Sequence, residues 1–279
     1  MLVDFMMIGA QKCGTTSLAA QLAQHPEICF CSIKEPGFFH QHADWQEQLS
    51  DYHALYLPGA GQICGEASTM YTFLPEWQET PQRLFEYNPN LKLIYIMRDP
   101  VARVLSNYTH DLVRSIVKEA PEIAIFKDPV YINRSRYAVQ MRPYLELFDR
   151  NQILFLIFED YVTNQACTLQ KVAEFLGISV DPFGTVEKVH AHQSVGQYQL
   201  RSETMRNVAR SSSFRRLRSY IPAAIRQPVR RRFSQKIEVQ PEFSPALQRQ
   251  IWRFLEDDVK QIEAWLDRDL TIWREGYAS

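Results

Sequence analysis

A loop with one lysine between two glycines follows the first apolar stretch of the chain. Gly9 and Gly14 bound this loop, which runs Gln11-Lys12-Cys13-Gly14-Thr15-Thr16 into a segment with helical periodicity. Backbone N–H groups at the start of a helix, together with the helix dipole, bind phosphate groups. Glycine lets the backbone approach the anion closely, and the two threonine hydroxyls add donors. The pattern therefore predicts a phosphate site.

The spacing of the two glycines matches the nucleoside-triphosphate P-loop, G-x-x-x-x-G-K-[ST]. In this chain Thr15 stands where that motif has its lysine, and Lys12 lies inside the loop instead. A kinase needs the lysine after the second glycine, since from there it reaches the β- and γ-phosphates. The loop thus favours a shorter phosphate ligand, and an ordinary strand-to-helix turn is the alternative interpretation.

Two further polar segments follow predicted strands. Glu35 lies in Lys34-Glu35-Pro36-Gly37-Phe38-Phe39, and Arg98 and Ser106 lie in a segment of the form R-D-P-x-x-R-x-x-S. Open α/β sheets bind ligands at the carboxyl ends of their strands. An arginine fork with a nearby hydroxyl is a good clamp for a phosphate, so the second segment predicts a separate phosphate site.

Apolar runs alternate with longer segments of helical periodicity over the first 180 residues. This alternation is typical of βα units around a mainly parallel sheet, so we expect an α/β fold. The predicted strands are 3–8, 28–31, 63–66, 91–97 and 153–158. The predicted helices are 15–24, 44–57, 81–87, 100–118, 135–150 and 162–176.

The last 100 residues lose this alternation. Residues 244–265 form an amphipathic pattern with Ser244 as the cap and Pro245 in the first turn, which predicts a helix. We therefore expect one domain over 1–279. Its core covers about 1–180, and a loop, a basic segment and a C-terminal helical extension cover about 181–279.

The net charge of −1 hides a strongly basic segment. From Arg201 to Lys236 there are eleven Arg or Lys residues and one acid, a local balance of about +10. Such a segment attracts phosphate, anionic glycans, nucleic acid or a membrane surface. A solvated helical face is the alternative.

Composition excludes several classes of protein. Apolar residues make up 46% of the chain and charged residues 23%, which is ordinary for a soluble globular domain and unlike a disordered or fibrous chain. The longest apolar runs have strand length, and the N-terminal segment carries Asp4 and no basic residue. We therefore expect a cytoplasmic protein. The H-x-H pairs at 40/42 and 190/192 lack a third ligand at typical spacing, so no metal is expected.

Together the three polar segments resemble those of sulfotransferases that use 3′-phosphoadenosine 5′-phosphosulfate. The resemblance is greatest to the heparan-sulfate-type branch and its bacterial relatives, over about residues 3–176 and more loosely to the C-terminal helix. It implies a P-loop-like fold with a central parallel sheet flanked by helices. It also implies a donor that carries two separate phosphate groups.

The resemblance assigns a role to each segment. It implies that the loop residues bind the 5′-phosphosulfate; these are Gln11, Lys12, Cys13, Gly14, Thr15 and Thr16. Arg98 and Ser106 would bind the 3′-phosphate. Glu35 would be the catalytic base, and Lys12 would neutralise charge on the departing 5′-phosphate. Arg201 would correspond to an arginine in a late loop that closes on the nucleotide in this family. Ala67 stands where the heparan-type branch has a lysine.

The expected reaction is in-line transfer of the sulfuryl group to a hydroxyl or amine, with adenosine 3′,5′-bisphosphate as the co-product. The resemblance suggests a carbohydrate or glycolipid acceptor, or another small molecule, and it implies no metal and no nucleic-acid partner. One alternative is a P-loop kinase of a small hydroxylated substrate. Another is a non-catalytic module that binds a polyanion or an anionic membrane through segment 201–236, with peripheral attachment to that membrane.

Overall fold

A five-stranded parallel sheet forms the centre of the computed structural model, which describes residues 2–180, 183, 198–200, 234–236 and 241–277. The strand order is β2-β3-β1-β4-β5, and every neighbouring pair is parallel. The strands are β1 (Phe5–Gly9), β2 (Ile28–Phe30), β3 (Ile63–Ala67), β4 (Lys92–Met97) and β5 (Ile153–Ile157). The predicted α/β class and all five predicted strands are confirmed, with ends that differ by at most two residues.

The sheet is buried on both faces at its centre. Every residue of β1 is buried, and in β4 only Lys92 is partly exposed, as expected for strands covered by helices on both sides. Met6 pairs with Glu66 on one side and with Leu93 on the other. Because all five strands are parallel, the loops that follow β1, β2, β4 and β5 leave the same edge of the sheet.

Eleven α-helices lie in the described part of the chain. They are α1 (Thr15–Leu22), α2 (Phe38–Gln41), α3 (Leu49–His53), α4 (Thr80–Tyr87), α5 (Pro100–Val113), α6 (Pro121–Lys127), α7 (Val130–Asn133), α8 (Tyr137–Leu147), α9 (Phe158–Thr163), α10 (Gln165–Leu176) and α11 (Pro245–Leu266). Short 3₁₀ turns cover Thr69–Thr72, Arg150–Gln152 and Thr271–Trp273. Strands β6 (Tyr198–Leu200) and β7 (Ser234–Lys236) pair antiparallel.

The predicted helices 15–24 and 135–150 exceed α1 and α8 by two or three residues at their ends. Three other predicted helices differ more from the structure, each for a local reason. The prediction of 44–57 was wrong outside α3, because i→i+3 hydrogen bonds close turns rather than a helix before it. Helix α5 ends at Val113 instead of 118, since Ser115 adopts a left-handed φ of 56°. The predicted helix 162–176 is divided at Asn164, whose side chain accepts from the Cys167 N–H and begins α10. Periodicity also missed the short helices α2, α6 and α7.

The C-terminal helix α11 packs against the core, as predicted. Ser244 caps it by accepting from the Leu247 N–H at 3.2 Å. Asp258 of α11 in turn accepts from the N–H groups of Ala138 (2.9 Å) and Val139 (3.1 Å) at the start of α8. The helix is therefore tied to the α/β core by hydrogen bonds as well as by its apolar face.

Several predicted features lie outside the described residues. These are Arg201, the histidine pair 190/192 and the basic segment 201–236 apart from β7. The single-domain assignment of 1–279 stays a prediction for the same reason. Within the described ranges, none of the helices combines the length and apolar character that crossing a bilayer requires.

Candidate functional site

A cavity of about 280 Å³ opens where β1, β2 and β4 end. This volume is just below the range of about 300–1,000 Å³ that is usual for small-molecule sites. Its lining contains the predicted residues Gln11, Lys12, Gly14, Thr15, Thr16, Glu35 and Ser106. It also contains Ser17, Lys34, Thr69, His110, Arg114 and Phe158, to which the sequence motifs give no role in the site.

Among the predicted site residues that the structure describes, two do not line the cavity directly. Cys13 is fully buried beneath the loop, with its Sγ 3.5 Å from the Tyr137 hydroxyl, and burial raises the pKa of its thiol to about 11. Its side chain therefore supports the loop. The Arg98 guanidinium lies 5.2 Å from the centre of the Phe158 ring. Because Phe158 lines the cavity, Arg98 contacts a lining residue without lining the cavity itself.

The loop between β1 and α1 contains two residues with left-handed backbone conformations. Gly14 has a φ of 87°, and a Cβ there would come within 2.7 Å of the Phe158 ring. Lys12 has a φ of 73°, which is uncommon for a residue other than glycine. Such strained positions cluster at binding sites, where the surrounding structure enforces them. The first three residues of α1 line the cavity, so the helix N-terminus opens onto it.

Arg103 fixes the loop from below. Its side chain is fully buried and donates to the Ser135 Oγ (2.5 Å), the Tyr131 carbonyl (3.0 Å) and the Gln11 carbonyl (3.5 Å). No carboxylate of the described residues forms an ion pair with it. Its positive charge therefore adds to the potential of the cavity floor instead of being neutralised.

Lys12 lies in a cluster of cations. Its Nζ is 3.5 Å from the His110 Nδ1. Burial lowers the pKa of Lys12, and the charges of Arg114, Arg103 and Arg98 lower it further. Burial, Lys12 and Arg114 lower the pKa of His110 to about 4, so its ring is neutral at pH 7 and accepts from the ammonium group. An anion bound here relieves the mutual repulsion of these cations.

One face of α5 and the residue that ends it supply three of the lining residues. Ser106, His110 and Arg114 follow one another at intervals of four, which places them on the same side of a helix. Asp99 begins this helix, because its Oδ1 accepts from the N–H groups of Val101 (2.9 Å) and Ala102 (3.1 Å). The sequence prediction missed His110 and Arg114, and their four-residue spacing from Ser106 is the signal that could have identified them.

Glu35 stands exposed at the mouth of the cavity. Its φ of 51° is again left-handed, and Gly37, two residues later, has a φ of 60°. The Gly37 N–H donates to the Ser68 Oγ at 3.0 Å, and the neighbouring Lys34 donates to the Thr16 Oγ1 at 3.4 Å. These bonds hold the loop at both ends and place a carboxylate and an ammonium group beside the phosphate loop.

An aromatic cluster anchors this loop. Phe38 stacks on Tyr52 with ring centres 4.5 Å apart, and Phe39 packs against Tyr52 at 5.3 Å and Tyr87 at 4.8 Å. Both phenylalanines are buried. The E-x-x-F-F pattern thus places the exposed Glu35 at one end of a rigidly packed helical turn.

Glu66 is the polar centre of the same cluster. It is 0% exposed, and its Oε2 accepts from the hydroxyls of Tyr52 (3.0 Å) and Tyr56 (3.3 Å). Its Oε1 has no hydrogen-bond partner among the described residues. Burial raises the pKa of Glu66 to about 7, although the surrounding hydroxyls oppose the rise. Glu66 does not line the cavity, so its role is to hold the tyrosines of the aromatic cluster that anchors the Glu35 loop.

The raised pKa of Glu66 leads to a prediction about stability and pH. Between about pH 5 and 7 the native state holds a proton that the unfolded chain has lost, so the free energy of unfolding falls as pH rises. One proton contributes at most about 1.4 kcal/mol per pH unit. Glu66→Gln should flatten this slope, as measured by urea unfolding at pH 5, 6, 7 and 8. An unchanged slope between pH 5 and 7 would show that Glu66 is already ionised there in the native state.

The family comparison matches nearly the whole chain. Residues 2–262 match the family model described as "Sulfotransferase domain". A mouse (Mus musculus) protein, heparan sulfate glucosamine 3-O-sulfotransferase 3B1, is 31% identical over 189 residues, which covers 62% of this chain and 45% of that protein. Human (Homo sapiens) carbohydrate sulfotransferase 15 is 28% identical over 246 residues, covering 63% of this chain and 44% of that protein. This chain thus spans less than half the length of the curated relatives it matches.

A solved structure supports the fold assignment. The crystal structure of a sulfotransferase from Alicyclobacillus acidocaldarius superimposes with a TM-score of 0.68 at 24% identity, and the match covers 99% of this chain and 100% of that one. At this identity the comparison establishes the fold. The five-stranded parallel sheet with its flanking helices therefore belongs to an architecture already known.

Proposed function

Because this chain belongs to the sulfotransferase domain family, we propose that it moves the sulfuryl group of 3′-phosphoadenosine 5′-phosphosulfate to a hydroxyl or amine of an acceptor. The observation that carries the proposal is a single cavity that joins a phosphate loop, the Ser106 face of α5 and an exposed carboxylate, Glu35. A chain that only binds a polyanion has no need of the carboxylate at that place.

The donor fits the cavity by charge. Lys12 and Arg103 meet at the phosphate loop, and neither forms an ion pair with a carboxylate of the described residues, although the charge of Asp111 acts on Lys12. The α1 N-terminus adds backbone donors. The loop would hold the 5′-phosphosulfate. Ser106 and Arg98 would hold the 3′-phosphate and so distinguish this donor from ATP. Donor-binding roles for Gln11, Thr15 and Thr16 follow from their places in the lining.

The chemistry needs one base and one cation. Glu35 takes the proton of the acceptor as the bond from the acceptor oxygen or nitrogen to sulfur forms. The bond between sulfur and the 5′-phosphate oxygen breaks on the opposite side, and its electron pair stays on the phosphate. Lys12 balances the charge that develops there, and the N–H groups of the loop support it.

Lys34 and Arg114 are the best-placed cations for the acceptor. Ala67 is buried at the end of β3, so the position of the heparan-type lysine supplies no charge here. Lys34 and Arg114 are exposed and line the same cavity as Glu35. We therefore propose an acceptor with a negatively charged group near the hydroxyl or amine, such as an anionic carbohydrate or glycolipid.

The function is tested by transfer of labelled sulfate from the donor into a panel of glycan, lipid and phenolic acceptors, with mass identification of the product. Label in any acceptor supports sulfuryl transfer, and the favoured class identifies the acceptor. An enzyme that leaves every acceptor unlabelled but binds heparin or anionic vesicles would support the binding-module alternative. The proposed cytoplasmic location and the anionic surface for segment 201–236 stay predictions.

Nucleotide selectivity gives a second prediction. The melting temperature should rise more with adenosine 3′,5′-bisphosphate than with 5′-AMP or ATP, because only the first engages both phosphate clamps. Arg98→Ala should remove most of that difference, since a hydrogen bond to a charged group contributes about 1.5–3 kcal/mol. Arg253→Ala, an exposed arginine on α11, is the matched control. Equal shifts with all three nucleotides would contradict the donor assignment, and the largest shift with ATP would favour the kinase alternative.

A further inference from the structure

The residues after α11 make contact with the corner that carries Arg98. This C-terminal segment, Leu270 to Tyr277, is held on α11 by Glu263, which accepts from the Leu270 N–H at 2.8 Å and from the Arg274 guanidinium. Within it, Trp273 is 0% exposed, and Tyr277 stacks on Trp252 with ring centres 5.8 Å apart. The segment is therefore built into the domain.

Two carboxylates lie at this corner, Asp99, which follows Arg98 in the chain, and Glu159, which follows Phe158, and the segment binds one oxygen of each. Tyr277 donates its hydroxyl to the Asp99 Oδ2 at 2.6 Å. Trp273 donates its indole N–H to the Glu159 Oε2 at 3.1 Å, while the Glu159 Oε1 accepts from the Asp99 N–H at 3.0 Å. Asp99 Oδ1 is already occupied by the first turn of α5. All four oxygens are thus engaged by uncharged donors.

Arg98 consequently keeps its charge for a ligand. Among the described residues no carboxylate lies at ion-pair distance from it, although Asp99 is its neighbour in the chain. Its carbonyl accepts from the Tyr137 hydroxyl at 2.9 Å, and its guanidinium lies over the Phe158 ring. Burial raises the pKa of the Tyr277 hydroxyl, Asp99 raises it further, and the charge of Arg98 opposes the rise, so all three groups interact at one corner.

We propose that Tyr277 and Trp273 are positioning residues that hold Asp99 and Glu159 away from Arg98 and so leave this arginine free to select a 3′-phosphate. The proposal rests on the proposed donor and adds residues that no motif of the phosphate site includes. Without the Tyr277 hydroxyl, Oδ2 of Asp99 loses its neutral partner and competes with the ligand phosphate for the Arg98 guanidinium.

The test compares nucleotide affinities by calorimetry on the full chain. Tyr277→Phe keeps the ring and removes one hydroxyl, so we expect the affinity for adenosine 3′,5′-bisphosphate to fall about tenfold. The affinity for 5′-AMP should stay within about twofold, because that nucleotide does not use Arg98. Trp273→Phe, which frees Glu159, should act in the same direction. Tyr108→Phe is the matched control, since its hydroxyl donates to the Glu119 carbonyl at 2.9 Å and does not line the cavity.

Rescue separates charge competition from simple loosening of the fold. Adding Asp99→Asn to Tyr277→Phe removes the competing charge and keeps the oxygen that begins α5, so selectivity should return. Retained selectivity in Tyr277→Phe, equal loss for both nucleotides, or no rescue by Asp99→Asn would each overturn the proposal. If the wild-type protein itself does not prefer adenosine 3′,5′-bisphosphate, the proposed donor fails and this inference fails with it. A selective wild type with a selective Tyr277→Phe variant overturns the inference alone.

Discussion

Replacing Glu35 with glutamine is expected to lower turnover about 10²–10⁴-fold, the usual contribution of a general base. Glutamine keeps the size and the hydrogen-bonding capacity of the side chain but cannot take the acceptor proton. Because Glu35 is exposed and forms no side-chain hydrogen bond or ion pair with the described residues, stability should stay near wild type. The melting shift with adenosine 3′,5′-bisphosphate should also be unchanged, since the loop and Arg98 bind the nucleotide.

Glu47→Gln is a suitable control for this experiment. Glu47 is exposed in the turn before α3 and does not line the cavity, so its loss should leave turnover unaffected. If Glu35→Gln keeps more than about a third of wild-type turnover, the base lies elsewhere. His110 then becomes the next candidate, because it is neutral and lines the cavity. Glu66 and His40 are less suitable, since both are buried outside the lining.

The sheet could be predicted from the sequence because its strands are buried on both faces. Runs such as Leu93–Met97 are apolar without interruption, and no helix of that length would bury every side chain. Once five parallel strands are placed, their carboxyl ends must meet at one edge. That geometry, rather than any single motif, is why Lys12, Glu35 and Ser106 could be expected at one cavity.

Features that depend on contacts distant in sequence could not be predicted. The hydrogen bond from Tyr277 to Asp99 joins residues 178 positions apart, and neither residue type signals the other. The cluster around Glu66 likewise depends on Tyr52 and Tyr56 meeting a strand that follows them. The predicted end of α5 was wrong for a related reason, since Ser115 adopts a left-handed conformation and no glycine or proline marks the turn.

Lys12→Met is expected to weaken donor binding and turnover together. Methionine keeps much of the length of lysine but cannot neutralise the departing phosphate, so we expect turnover to fall by about 10²-fold or more, as when one preorganised donor at a developing charge is lost. Donor affinity should fall about tenfold, since a charged contact contributes about 1.5–3 kcal/mol. This combined loss distinguishes Lys12 from Glu35, whose replacement spares donor binding. Lys171→Met, an exposed lysine on α10 outside the cavity lining, is the control.

The same variant has a readout that does not depend on activity. Lys12 is one of the two cations that lower the pKa of His110, so its removal should raise that pKa above about 4. Proton NMR titration of the imidazole measures this directly in the protein without nucleotide. A raised His110 pKa with normal turnover would mean that Lys12 is in place but is not needed for charge neutralisation. An unchanged His110 pKa with lost turnover would mean that the two side chains do not interact. Lys12 would then act on the departing phosphate without being part of a cationic cluster with His110.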